Sequence, residues 1–338
     1  MVQPQNILEV QDLAISFRTA AGLLRVVDGI SFEMVAGECM ALVGESGCGK
    51  TVSALSIVGL LNRQQAVVEG SIRFNGRELV GLSESALRPI RGGEIGFIFQ
   101  EPLSALNPVT TIGEQIAEVI VAHRNLSWKA AHREAVSYLD QVEIAQPDQR
   151  AKQFPHQLSG GMRQRAMIAM ALAGEPSLII ADEPTTALDV TIQAQVLALL
   201  RRASQERGVG LLLITHDLGV VAETAQSIAV MYAGHIVEQG AAASVLRSPA
   251  NPYTRDLVNS IPTFARRGTS LTTIAGSVPS PAAFPSGCRF HTRCRYAIAE
   301  CASAVPPLEQ LPDQRAVRCI RHGELAQTLS EPAARSAS

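Results

Sequence analysis

No stretch of the sequence approaches the roughly 18 consecutive apolar residues needed to cross a bilayer, which excludes a membrane-spanning role. Any work at a membrane must go through a partner. The first residues, Met1-Val2-Gln3-Pro4-Gln5-Asn6, show no basic region followed by an apolar run, so no signal peptide is expected. Basic residues are not in excess either. The net charge is −2 and the pI near 6.4, which argues against a nucleic-acid binder held by bulk electrostatics. There is no internal repeat, no long coiled-coil pattern and no C-x2-C pair. What remains is a chain of 338 residues, 46% hydrophobic and 18% charged, suited to one large globular domain or two unequal ones.

An α/β domain is expected over residues 6–240. Ile7–Val10, Leu13–Phe17, Val26-Val27 and Ile30–Met34 read as short strands between turns, which suggests an antiparallel sheet at the start. Cys39–Val43 is wholly apolar, like a strand buried in a parallel sheet, and a helix is expected from Thr51 to Leu61. Ile95–Phe99, Leu178–Ala181, Leu211–Ile214 and Ile228–Met231 read as further strands. Residues 101–175 have helical spacing and form an insertion between two core strands. After Gly240 the texture changes. Prolines predict an extended linker over 241–287, a cysteine-rich region over 288–325 and a disordered tail over 326–338.

Gly44-Glu45-Ser46-Gly47-Cys48-Gly49-Lys50-Thr51 matches the P-loop pattern directly after a strand and opening a helix. Glycines let the backbone wrap phosphates, Lys50 neutralises their charge, and Thr51 offers a hydroxyl to Mg2+. Cys48 reads as a small residue the loop tolerates, or as a thiol whose modification blocks ATP. Asp182 and Glu183 end the apolar Leu178–Ala181 run. Asp182 suits contact with Mg2+, and Glu183 suits the base that polarises the attacking water. Ser159-Gly160-Gly161 reads as the cap and first turn of a helix running to Gly174. Its free N–H groups and positive dipole end suit a second phosphate.

In that order these motifs resemble the ATP-binding subunits of ABC transporters. Leu158–Arg165 stands at that family's signature motif, Leu178–Glu183 at its Walker-B strand and Ala187-Leu188-Asp189 at its D-loop. The resemblance implies the Q-loop at Gln100, a further contact to Mg2+, and the switch histidine at His216. It also implies an adenine-stacking aromatic at Phe17. Two such domains associate head to tail in the family. Ser159, Gly160 and Gly161 are therefore expected to close on the ATP of a neighbouring chain. Lys50, Thr51, Asp182, Glu183, Gln100 and His216 act in cis. Gln100–Pro108 begins the region that receives a permease's coupling helix.

Gln100–Pro108, Asn251-Pro252-Tyr253-Thr254 and Gly287–Tyr296 are similar to the oligopeptide/dipeptide/nickel importer branch. That branch implies two transmembrane permease subunits, a second and paralogous ABC ATPase, a substrate-binding protein, and a site at the cytoplasmic face of the inner membrane. The function expected is ATP hydrolysis that energises peptide import. Another solute of the branch, such as nickel or glutathione, is the alternative. A soluble ABC-type ATPase acting on nucleic acid or ribosomes calls for tandem domains, a coiled coil or a basic face, and none is seen.

Cys288, Cys294, Cys301 and Cys319 are spaced C-x5-C-x6-C-x17-C. A reduced cytosolic chain keeps such thiols for metal rather than disulfides. The spacing does not choose the metal, and Arg289, Arg293, Arg295 and Arg318 offset thiolate charge. The resemblance favours a 4Fe-4S cluster; Zn2+ and unligated or disulfide-bonded thiols stay open.

Overall fold

The structure is a computed structural model and describes residues 6–186, 189–260 and 274–330. Ala187 and Leu188 of the expected D-loop and residues 331–338 of the expected tail lie outside the described residues. The chain opens with β1 (Asn6–Thr19) and β2 (Gly22–Val35), joined by β4 (Ala66–Phe74) and β5 (Arg77–Glu78) in an antiparallel sheet ordered β2-β1-β4-β5. The four short strands read from sequence are two long ones. β1 runs through Asp12 at φ 48°, where the register shifts, and the Ser31 hydroxyl accepts the Asp12 N–H at 2.9 Å.

The second sheet is mixed. β3 (Cys39–Val43), β6 (Ile95–Ile98), β7 (Leu178–Asp182), β8 (Gly210–Thr215) and β9 (Ser227–Tyr232) are parallel. β10 (His235–Ala241) turns back antiparallel onto β9. Its central strands are buried throughout, and their alternation divides the core. Met40, Leu42, Leu178, Ile180, Leu212 and Ile214 face the antiparallel sheet. Ile179, Ala181, Leu211 and Leu213 face the helical segment. Ala41 and Val43 pack with Tyr232, Tyr253 and Phe290 of the C-terminal part. A period of two on strands buried on both sides thus binds three layers to one sheet.

The helical insertion has the expected place. Ile112–Arg124 starts in a capping box, with Thr111 accepting from the Glu114 N–H and Glu114 reaching back, and stops at Asn125 in the left-handed region. Trp128–Gln141 is capped by Ser127. Gly160–Ala173 is capped by Ser159 and ends at Gly174, as its sequence predicts. The P-loop helix spans Lys50–Ile57, shorter than the expected Thr51–Leu61, because Val58 leaves helical geometry and Gly59 turns at φ 63°.

The C-terminal third has helices where an extended linker and the start of a disordered tail were expected. Residues 241–287 contain the helices Ala242–Arg247 and Pro252–Asn259. Pro252 starts the second helix, since proline's missing N–H costs nothing there and Asn251 caps the turn through the Tyr253 N–H at 2.9 Å. The cysteine-rich region is joined to the ATPase sheet. β11 (Glu309–Gln310) and β12 (Ala316–Val317) add to its edge, with Glu238 opposite Val317 on β10. His322–Ser330 is helical where a tail was expected from 326, and Leu325 on it is buried.

Candidate functional site

β3 delivers the P-loop to the top of the parallel sheet. Gly44, Gly47 and Gly49 all take positive φ, at 155°, 81° and 109°. At Gly44 a Cβ would sit 2.1 Å from the Met231 carbonyl oxygen, so no side chain fits. The loop rims a cleft of about 740 Å3, and Gly44–Gly47, Gly49, Lys50 and Thr51 form one wall. Buried Lys50 bends its Nζ back over the loop and donates to the carbonyls of Gly44 at 2.7 Å and Glu45 at 3.1 Å. Ser46 lines the same wall. Cys48 is buried beneath it, and desolvation pushes its thiol above the usual range against the pull of Lys50.

The opposite wall comes from the ends of β6, β7 and β8. The Thr51 hydroxyl donates to Asp182 Oδ1 at 3.1 Å. Burial pushes the Asp182 carboxyl above the usual carboxylate range, and the Glu183 charge adds to this. A divalent cation at the Thr51–Asp182 pair would supply the charge that favours its ionised form. Glu183 follows at φ 45°, a left-handed position uncommon outside glycine. Its N–H donates to the Ile214 carbonyl at 2.9 Å, which turns the carboxylate into the cleft. Gln100 Nε2 donates to Glu183 Oε2 at 3.1 Å, the Thr186 hydroxyl donates to the same oxygen at 2.8 Å, and His216 Nδ1 lies 3.3 Å from Oε1.

Lys50, Thr51, Asp182, Glu183, Gln100 and His216 therefore converge. Phe17 does not line this cleft; it is half-buried on β1 opposite Leu24 and Ala66. Ser159, Gly160 and Gly161 are not among the lining residues either. Ser159 and Gly160 are exposed, and nothing lies within 4 Å of where a Gly160 Cβ would be. Asp189, the described end of the expected D-loop, caps the helix Val190–Arg207 through the Ile192 N–H at 3.0 Å.

Sequence reasoning missed part of the cleft. Leu257, Ser260 and Ile274 line it from the C-terminal third. The Tyr253 hydroxyl accepts the Glu45 N–H at 2.9 Å, and Arg293 pairs with the Glu45 carboxylate. Thr186 carried a local signal, two residues of hydroxyl side chain just past Glu183. Tyr253 reads from sequence only as part of a branch motif and Arg293 only as an offset to thiolate charge, because chain distance hides their contacts to Glu45.

Cys288, Cys294, Cys301 and Cys319 line a single small cavity together with Arg318 and Arg321. None is in a disulfide. Among the described residues no group of three or more His, Cys, Asp or Glu side chains is placed to hold one metal ion. No described helix is long and apolar enough to cross a membrane.

Two family descriptions match the chain: ABC transporter over residues 27–186, and oligopeptide/dipeptide transporter, C-terminal region, over residues 237–301. A Brucella abortus protein named for peptide import and ATP binding is 49% identical over 334 residues, 95% of this chain and 99% of that one. The dipeptide transport ATP-binding protein DppD of Bacillus subtilis is 46% identical over 316 residues, 93% of this chain and 94% of DppD. Among solved structures, the ATP-binding cassette MJ0796, a dimer in a post-hydrolysis state bound to ADP and Pi, superposes with a TM-score of 0.63. It is 27% identical and covers 70% of this chain and 98% of its own.

Proposed function

The chain belongs to the ATP-binding subunits of peptide-importing ABC transporters, and from that premise we propose how its residues divide the work. It hydrolyses ATP to energise the importer. The P-loop N–H groups and Lys50 hold the phosphates, and Thr51 and Asp182 hold Mg2+, with Gln100 at its edge. Mg2+ supplies charge neutralisation on the transferring phosphoryl group. Glu183, fixed by Gln100, Thr186 and His216, orients the attacking water and accepts its proton. Phe17 offers an aromatic face to the adenine from β1.

Ser159, Gly160 and Gly161 serve a second ATPase, and the observation that carries this is their absence from the cleft their own chain builds. That the similar cassette MJ0796 is a dimer supports a second ATPase beside this chain. The partners are two permease subunits, a paralogous ATPase and a peptide-binding protein, with this chain on the cytoplasmic side. Residues 6–240 form the ATPase unit and the remainder braces it.

The four cysteines hold a 4Fe-4S cluster. The support for this reading is that the four thiols line one cavity and none is in a disulfide; Zn2+ is the alternative. Bound there, the cluster supplies a cross-link between distant segments. Anaerobically purified protein is expected to be brown, and Cys294→Ser to bleach it; colourless protein with stoichiometric zinc contradicts the assignment. The transport role is tested by reconstitution with the permease. ATP hydrolysis stimulated by the peptide-loaded binding protein is expected, and hydrolysis indifferent to peptide overturns the substrate class.

A further inference from the structure

We propose that Arg293 is a positioning residue for ATP, which holds the P-loop in its binding shape from the cysteine-rich region through Glu45. The proposal rests on the reading of the P-loop cleft as the ATP site. Arg293 makes a two-pronged pair with the Glu45 carboxylate, Nη1 to Oε2 at 2.6 Å and Nη2 to Oε1 at 3.0 Å. The two residues are 248 positions apart. The side chains are 7% and 27% exposed at Arg293 and Glu45, so the pair is shielded mainly on the arginine side.

The guanidinium is itself held. Its Nε donates to the Ala275 carbonyl at 2.8 Å, and it lies over the Tyr232 ring at 5.7 Å from the centroid. Glu45 is thereby fixed at three points. Its side chain meets Arg293, its N–H meets the Tyr253 hydroxyl, and its carbonyl accepts from Lys50. A loop with three glycines at positive φ is free to take many shapes, and ordering it on binding costs affinity. An outside clamp on its second residue removes part of that cost before nucleotide arrives. Arg293 directly precedes Cys294, so the clamp is one peptide bond from the cysteine cavity.

A staple that only holds the cysteine region to the core predicts lost stability with unchanged nucleotide affinity. A positioning role predicts the reverse split. The test measures MgADP affinity of the full-length chain by titration calorimetry, with thermal melting alongside, for Arg293→Met, Glu45→Gln and the double variant. Each single change is expected to weaken MgADP about tenfold, and the double change no further, because both remove one coupling. In the assembled complex the KM for ATP should rise more than kcat falls.

Affinity within twofold of the unaltered chain, or losses that multiply in the double variant, overturns the proposal. If Arg293→Met does not fold, Glu45→Gln decides alone, since it removes charge at a residue with solvent access and leaves the cysteine region intact. Lys50→Ala separates the two readings. An unaltered chain that binds MgADP, with Lys50→Ala abolishing it, keeps the cleft as the ATP site whatever Arg293 does. Binding that survives Lys50→Ala removes the site and the proposal with it.

Discussion

Glu183 is held at both carboxylate oxygens, by Gln100 and Thr186 on one and His216 on the other, in a backbone conformation that side chains rarely adopt. In the proposed role as base, such a residue gains by orientation more than by basicity. Glu183→Gln should keep ATP binding and lose hydrolysis by about 10²–10⁴-fold, read as phosphate release by the assembled complex. Near-normal turnover contradicts the role. A second residue-scale expectation concerns buried His235. Burial and the charges of Arg289 and Arg318 outweigh the pull of Asp28 and lower its pKa from 6.5 to about 4. Below pH 6.5 the unfolded chain takes up a proton that the folded chain refuses until about pH 4. Stability from this group is full above pH 6.5 and falls as pH drops toward 4. Melting temperature across that window should decline, and His235→Gln should flatten the decline. The residues legible from sequence were those whose chemistry is local to a strand end, as with Lys50, Asp182 and Glu183. Arg293 and Tyr253 were not, since their contacts to Glu45 span 248 and 208 positions.

The signature helix Gly160–Ala173 is largely buried from Gln164 onward and opens to solvent at its N-terminal end. Ser159 caps it through the Met162 N–H at 3.3 Å, a bond whose loss costs about 1 kcal/mol, and Ser159 and Gly160 stay exposed. Gly160 has open space where a methyl would go, so Gly160→Ala should fold normally and bind MgADP as before. If its first turn closes on a neighbour's phosphate, the same change should cut ATP hydrolysis of the complex at least tenfold at the partner's site. Unchanged hydrolysis removes the helix from the reaction. Helices here were legible where caps and spacing agree, as at Ser159 and Thr111. They were hidden where proline was read as extended chain: Pro252 begins a helix, and β10 was overlooked beside the turn at Ala233-Gly234.

At the scale of the molecule, the C-terminal third is part of the ATPase body. β12 extends the main sheet through β10, Arg289 pairs with Asp28 at 2.6 Å, and Leu257, Ser260 and Ile274 wall the cleft. The sequence signals that divide the chain at Gly240 are real changes of composition. Pairing of short strands and long-range ion pairs leaves no such trace, so the join was not legible. The exposed Ser159-Gly160 end is proposed to serve, at this scale, as a phosphate cap for another chain's ATP. A photo-reactive side chain introduced at position 159, in the assembled complex held with a slowly hydrolysed ATP analogue so that both sites stay occupied, tests this most directly. It should cross-link to the P-loop of the partner ATPase, and only when the analogue is present. Cross-linking to this chain's own P-loop, or to the partner equally with and without the analogue, would contradict the shared site.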